Sequence, residues 1–134
     1  MTDWIRARAP TIDEFAELAE HALAALPERF RAMAGDVQMR VMDFPDEDVL
    51  DEFGIEDPFE LTGLYQGVDL SRRSVSDPSP QPAMVMLYRR PILDEWCDRG
   101  DVSLGELISH VLVHEIGHHF GLSDEAIEAI EDRA

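Results

Sequence analysis

This chain of 134 residues has no lysine, one cysteine and few positive charges: its eleven basic residues are all arginine, against 29 acidic ones, for a formal net charge of −18. With Cys97 alone, neither an intramolecular disulfide nor a cysteine-based metal cluster can form, and its plainest role is that of a small, partly buried helix residue. The shortage of positive charge excludes nucleic acid as a partner, because phosphates would be repelled, and argues against anionic membrane surfaces. No long uncharged apolar run is present, and the opening Met1-Thr2-Asp3-Trp4-Ile5-Arg6 lacks the apolar core of a signal peptide. A cytoplasmic protein with no membrane association is therefore expected. Internal repeats, glycine-rich phosphate loops and Ser-His-Asp patterns are missing too. The length suits one domain, residues 1–134, around one core, and 45% hydrophobic with 30% charged residues is an ordinary globular balance.

What is present begins with helical periodicity. Thr11 and Glu14 form a capping-box pattern, and Ile12, Phe15, Leu18, Ala19, Ala22 and Leu26 follow at helical spacing up to Pro27. This predicts an N-terminal amphipathic helix, with His21 on its solvated side and a further helical turn over 28–34. Val37, Met39 and Val41 alternate with polar or longer residues and predict a strand. Between Asp43 and Glu60 lie nine acidic residues and no basic one, a solvated stretch with a short helix over 47–53 and without the spacing of a calcium loop. Leu61 to Val68 reads as a strand with Gly63 and Gly67 as bulges or points of close backbone approach. Ser71 to Pro82 is a proline-stiffened loop. Ala83 to Arg90 is the clearest strand, closed by Pro91, and Ile92 to Arg99 a helix ended by Gly100. Ser103 and Glu106 open a long helix through Leu107, Ile108, Val111, Leu112 and Ile116, apolar enough around its circumference to be buried against a sheet.

That helix carries His114, Glu115 and His118, an H-E-x-x-H motif. Two imidazoles four residues apart stand on one helical face a turn from each other, so their nitrogens can converge on one Zn²⁺ at about 2.0–2.1 Å. Gly121 can take the left-handed conformation that ends a helix and turn the chain so that Asp124 becomes a third ligand. Glu115, beside the first ligand, would then take a proton from water. Plainer readings stand beside these. The two histidines can be structural, and Ser123 or Asp124 can cap a last helix, Glu125 to Asp132. By helical phase His119 points away from the His114–His118 face, and His110, one turn earlier, belongs at the rim of a cleft.

The full pattern H-E-x-x-H-x-x-G-x-x-D resembles the active-site helix of zincins, with the long metzincin spacing and the aspartate of snapalysin-type proteases. Together with Leu64-Tyr65-Gln66-Gly67-Val68 and Leu87-Tyr88-Arg89-Arg90-Pro91 it is similar to the small bacterial minimal-zincin metallopeptidases over nearly the whole chain. The resemblance implies an α+β zincin-like domain of three to four short strands, with a buried active-site helix and the N-terminal helix packed around them. It implies zinc held by His114, His118 and Asp124, catalysis by Glu115, and a peptide or protein substrate lying along a sheet edge formed by the strand at 83–90 or the glycine-rich one before it. Tyr65 and Tyr88 are candidates for steadying an oxyanion, with packing the plainer role for each. The ten residues after Asp124 contain no methionine, so the methionine turn of larger metzincins is not expected. The alternative is a zincin-shaped module that binds peptides or partners with negligible turnover.

Overall fold

Thr11 accepts the Glu14 N–H on its hydroxyl while the Glu14 carboxylate accepts the Thr11 N–H, so the predicted capping box is closed and α1 (Ile12–Ala24) follows. This is a computed structural model, and it describes residues 3–34, 37–66 and 84–132. Helix α1 buries Phe15, Ala19 and Ala22, the residues whose spacing announced it, and leaves His21 exposed. Pro27 starts the six-residue α2 (Glu28–Met33), which seats Phe30 in the core.

Three strands form one mixed sheet: β1 (Gln38–Met42), β2 (Gly63–Gln66) and β3 (Met84–Tyr88), in the order β1-β3-β2. β1 runs parallel to β3, with Met39 opposite Val85, and β2 runs antiparallel to it, with Leu64 opposite Met86. Of the two strands expected as the sheet edge, β2 is one among the described residues and β3 is not. The backbone groups of β3 are used on both sides, which fits the near-complete burial of Val85, Leu87 and Tyr88. Among the described residues the edges are β1 and β2. Gly67, Val68 and the proline-rich loop expected at 71–82 lie outside the described residues.

Pro91 does not close the third strand as expected. The strand stops at Tyr88, and α4 (Arg89–Arg99) takes Pro91 into its first turn, where the missing N–H has no intrahelical partner in any case. Arg89 fastens this junction: its Nε donates to the Pro10 carbonyl at 2.6 Å and its guanidinium pairs with Asp43 at 3.0 Å. Cys97 is exposed on α4 rather than partly buried. The acidic stretch folds as expected into α3 (Glu47–Phe53), followed by a short 3₁₀ turn, Pro58–Glu60.

The long helix α5 (Leu104–His119) begins with the Ser103 hydroxyl accepting the Glu106 N–H, half of the predicted box. It packs mainly on α1 and β2 and buries Leu107, Ile108, Leu112 and Ile116 at 2% exposure or less. Each such side chain contributes roughly 1.5–3 kcal/mol when fully buried, so this helix is firmly held. The last helix, α6 (Asp124–Asp132), starts one residue earlier than predicted and anchors Ile127 in the core. Among the described residues, three strands and six α-helices make the molecule α+β, as expected. No described helix is long and apolar enough to cross a membrane.

Candidate metal centre

The same periodicity that buries one side of α5 aligns His110, His114 and His118 along another. The His110 and His114 rings are 5.3 Å apart and those of His114 and His118 5.7 Å apart, the separation of side chains one turn from each other. After His118 the helix ends in a Schellman arrangement: Leu122 N–H donates to the Gly117 carbonyl at 2.9 Å and Gly121 N–H to the His118 carbonyl at 3.0 Å. Gly121 has φ of 72°, which a residue with a Cβ adopts only with strain.

The turn delivers Asp124. Ser123 accepts the Ala126 N–H on its hydroxyl at 3.2 Å and the Ile127 N–H on its carbonyl, so serine caps α6 and the Asp124 carboxylate is released from that duty. Gly117 allows the two helices to approach, since a Cβ there would stand 2.5 Å from Ile127 Cδ1. Asp124 Oδ1 lies 3.3 Å from His114 Nε2 and 3.2 Å from His118 Nε2. Ligands 2.0–2.1 Å from one tetrahedral zinc stand about 3.3–3.4 Å apart, so this donor set fits that ion. All three ligand atoms lie within 4.8 Å of one another, and no other group of three or more such donors occurs among the described residues. The hydrogen bond from His118, ahead of the charge of His114, holds the Asp124 carboxyl below the usual aspartate range. His114 Nδ1 is buried without a hydrogen-bond partner among the described residues, whereas metal-binding histidines usually donate from this second nitrogen.

Glu115 lies against β2 and within electrostatic reach of all three donors. Burial pushes its carboxyl above the ordinary range, opposed by the charge of His118 and by a hydrogen bond from the Tyr65 N–H. That bond follows from the strand register. Tyr88 N–H donates to the Thr62 carbonyl, so Thr62 and Leu64 turn their backbone groups toward β3 while Gly63 and Tyr65 turn theirs outward. The strand comes close because Gly63 lacks a side chain: a Cβ would stand 2.8 Å from Val111 Cγ1 and 3.4 Å from Glu115 Cγ. Of the expected points of close approach, Gly63 is one in fact. Thr62, Glu95, Arg99, His110, His114 and Glu115 line a cleft of about 140 Å³ beside the donors.

The sequence-predicted residues are thus found together, with His110 at the rim and exposed. The side chain of His119 lies outside the described residues. Tyr88 is 1% exposed, and burial, with Asp46 and Glu115 nearby, pushes its hydroxyl up to about 12. The Tyr65 hydroxyl is buried as well, in keeping with packing roles for both. Sequence reasoning missed Thr62, Arg99 and the Tyr65 N–H. Nothing local marks the first two, and only Gly63 hinted at the third.

No curated protein matches the chain. The family model described as zincin-like metallopeptidase matches residues 34–134, which hold the whole sheet, the H-E-x-x-H helix and Asp124. By that match over most of its length, the chain belongs to the zincin-like metallopeptidase family.

Proposed function

We propose that the protein hydrolyses peptide bonds with a zinc ion held by His114, His118 and Asp124, in the manner of the long metzincin spacing with aspartate as third ligand. The observation that carries this reading is the spacing of 3.2 and 3.3 Å between the Asp124 oxygen and the two Nε2 atoms. Zinc bound there would supply Lewis acidity, making water a better nucleophile near neutral pH and polarising a carbonyl. The chain's own residues do the rest. Glu115 accepts the proton of the attacking water and later gives it to the leaving amine. A carboxyl raised by burial suits both halves of this work, because a group that takes and returns a proton is most effective with its pKa near the working pH. The Tyr65 N–H fixes the orientation of the Glu115 carboxylate, and the β2 edge offers the outward backbone groups along which an extended peptide would lie.

The test compares the wild type with three variants on unstructured peptides, alongside zinc titration. The wild type is expected to bind about one equivalent of zinc, and His114→Ala and His118→Ala none. Glu115→Ala is expected to keep its zinc and lose peptide hydrolysis by about 10²–10⁴-fold. Equal turnover by wild type and Glu115→Ala, with peptides bound alike by both, would replace this assignment with that of a peptide-binding module.

A further inference from the structure

A second groove shares His110 with the cleft at the metal centre. It has a volume of about 1030 Å³ and runs between α5 and the stretch from α1 into α2, with Leu18, Ala22, Leu26, Phe30 and Val113 among its walls. This is the size of sites that enclose a drug-sized ligand. We propose that the groove is the side-chain subsite of the active site and selects peptides that carry large apolar residues, an inference that rests on the peptidase reading above.

Three observations support it. First, the groove and the catalytic cleft share a wall: His110 lines both, and its ring stands 5.3 Å from that of His114. An extended chain advances about 3.3 Å per residue, so a peptide with its scissile carbonyl near His114 reaches the groove within about two residues. Second, the lining selects by polarity. In a chain with 29 acidic residues, the groove has one carboxylate, Glu106, and no arginine among its thirteen lining residues. An acidic side chain would meet Glu106 there and only the imidazoles of His21 and His110 as partners, whereas an apolar one would leave water for Leu, Phe and Val surfaces. Third, Leu18 to Phe30, one whole wall, precede the span 34–134 that matches the family model. The site chemistry lies within that span, and this second wall is added by the residues before it.

Gly105, in the first turn of α5, offers a direct probe. It lines the groove, and a Cβ built on it meets nothing within 4 Å, so the side chain of Gly105→Trp leaves the backbone beside the groove without a clash. Ser109→Trp, one turn along the same wall, is a second plug. The zinc-loaded full chain would be assayed with paired peptides that differ only in Phe or Ser at one position, two residues from the cleaved bond. Binding of the same pairs would be measured by anisotropy in the Glu115→Ala background. The expected result is about a tenfold or greater preference for the Phe peptide, erased by either plug, with zinc stoichiometry and melting temperature retained. No preference in the wild type, or one that survives both plugs, overturns the proposal. So does a dimer in sedimentation that the plugs dissociate, which would make the groove a subunit interface. If nothing is cleaved but the Glu115→Ala chain still prefers the Phe peptide in a plug-sensitive way, the groove stands and the peptidase reading falls.

Discussion

At the scale of single residues, Ser123 and Asp124 divide two tasks that either could have performed. Ser123 carries the helix cap, so Ser123→Ala is expected to cost about 0.5–2 kcal/mol in urea denaturation and leave zinc affinity unchanged. Asp124→Asn is expected to do the reverse, with stability near wild type and zinc affinity, measured by calorimetric titration, reduced at least tenfold. Equal zinc affinity in that variant would remove Asp124 from the ligand set. Glu115 makes a different point, because a residue useful in catalysis is held where its charge is unwelcome. Burial raises its carboxyl above the ordinary 4.5. The folded chain then retains a proton that the unfolded chain releases, so stability is full below about pH 4.3 and declines as pH rises through the folded value. Chelator-treated Glu115→Gln should accordingly melt above chelator-treated wild type at pH 7, with the gap closing below about pH 4. A constant gap across that range would contradict the burial account.

At the scale of elements, the site depends on how closely β2 approaches α5. Gly63 sets that distance, and Gly63→Ala drives a methyl group into Val111 Cγ1. The strand must then move off the helix and loosen the Tyr65 N–H from Glu115. Loss of turnover by up to about 10²-fold is expected, mainly in kcat, with zinc affinity unchanged. The Tyr65 amide should exchange faster with solvent, in step with the activity. Adding Val111→Ala makes room for the methyl and should restore both readouts in part. If Tyr65 protection were the same in Gly63→Ala and wild type, the close approach would not be what positions Glu115. Tight contact also joins α6 to α5, where Gly117 meets Ile127, so the position of Asp124 depends on packing as well as on the turn at Gly121.

For the molecule as a whole, the net charge of −18 acts over distances that no single contact reaches. Association should be faster for basic peptides than for acidic ones of equal apolar content. The preference should shrink with salt, because the Debye length falls from about 10 Å at 0.1 M to about 3 Å at 1 M. Measuring kcat/KM for a Lys-flanked and a Glu-flanked peptide over that range checks it, and a ratio indifferent to salt would show that long-range charge plays no part. Local and global selection then act on different features of the substrate: the groove responds to apolar side chains, the outer surface to charge.

The sequence by itself determined what depends on neighbours along the chain. The Thr11–Glu14 box, the helix over 47–53, the end of α4 at Gly100 and the turn at Gly121 are set by capping, spacing and left-handed glycine, all written within a few residues. His114 and His118 share a face for the same reason: helical pitch alone puts them there. Tertiary structure decided what depends on residues far apart. Which strand became central was settled by pairing: of the two that the resemblance offered as the edge, β3 was enclosed because β1 and β2 both found it. Whether serine or aspartate capped α6 was settled by the approach of α6 to α5 at Gly117, which leaves the Asp124 carboxylate facing two imidazoles. Thr62 and the Tyr65 N–H reached the site only through strand register, and Arg99 through the packing of α4 beside α5. None of the three carries a local signal, because each owes its position to a fold formed by other parts of the chain.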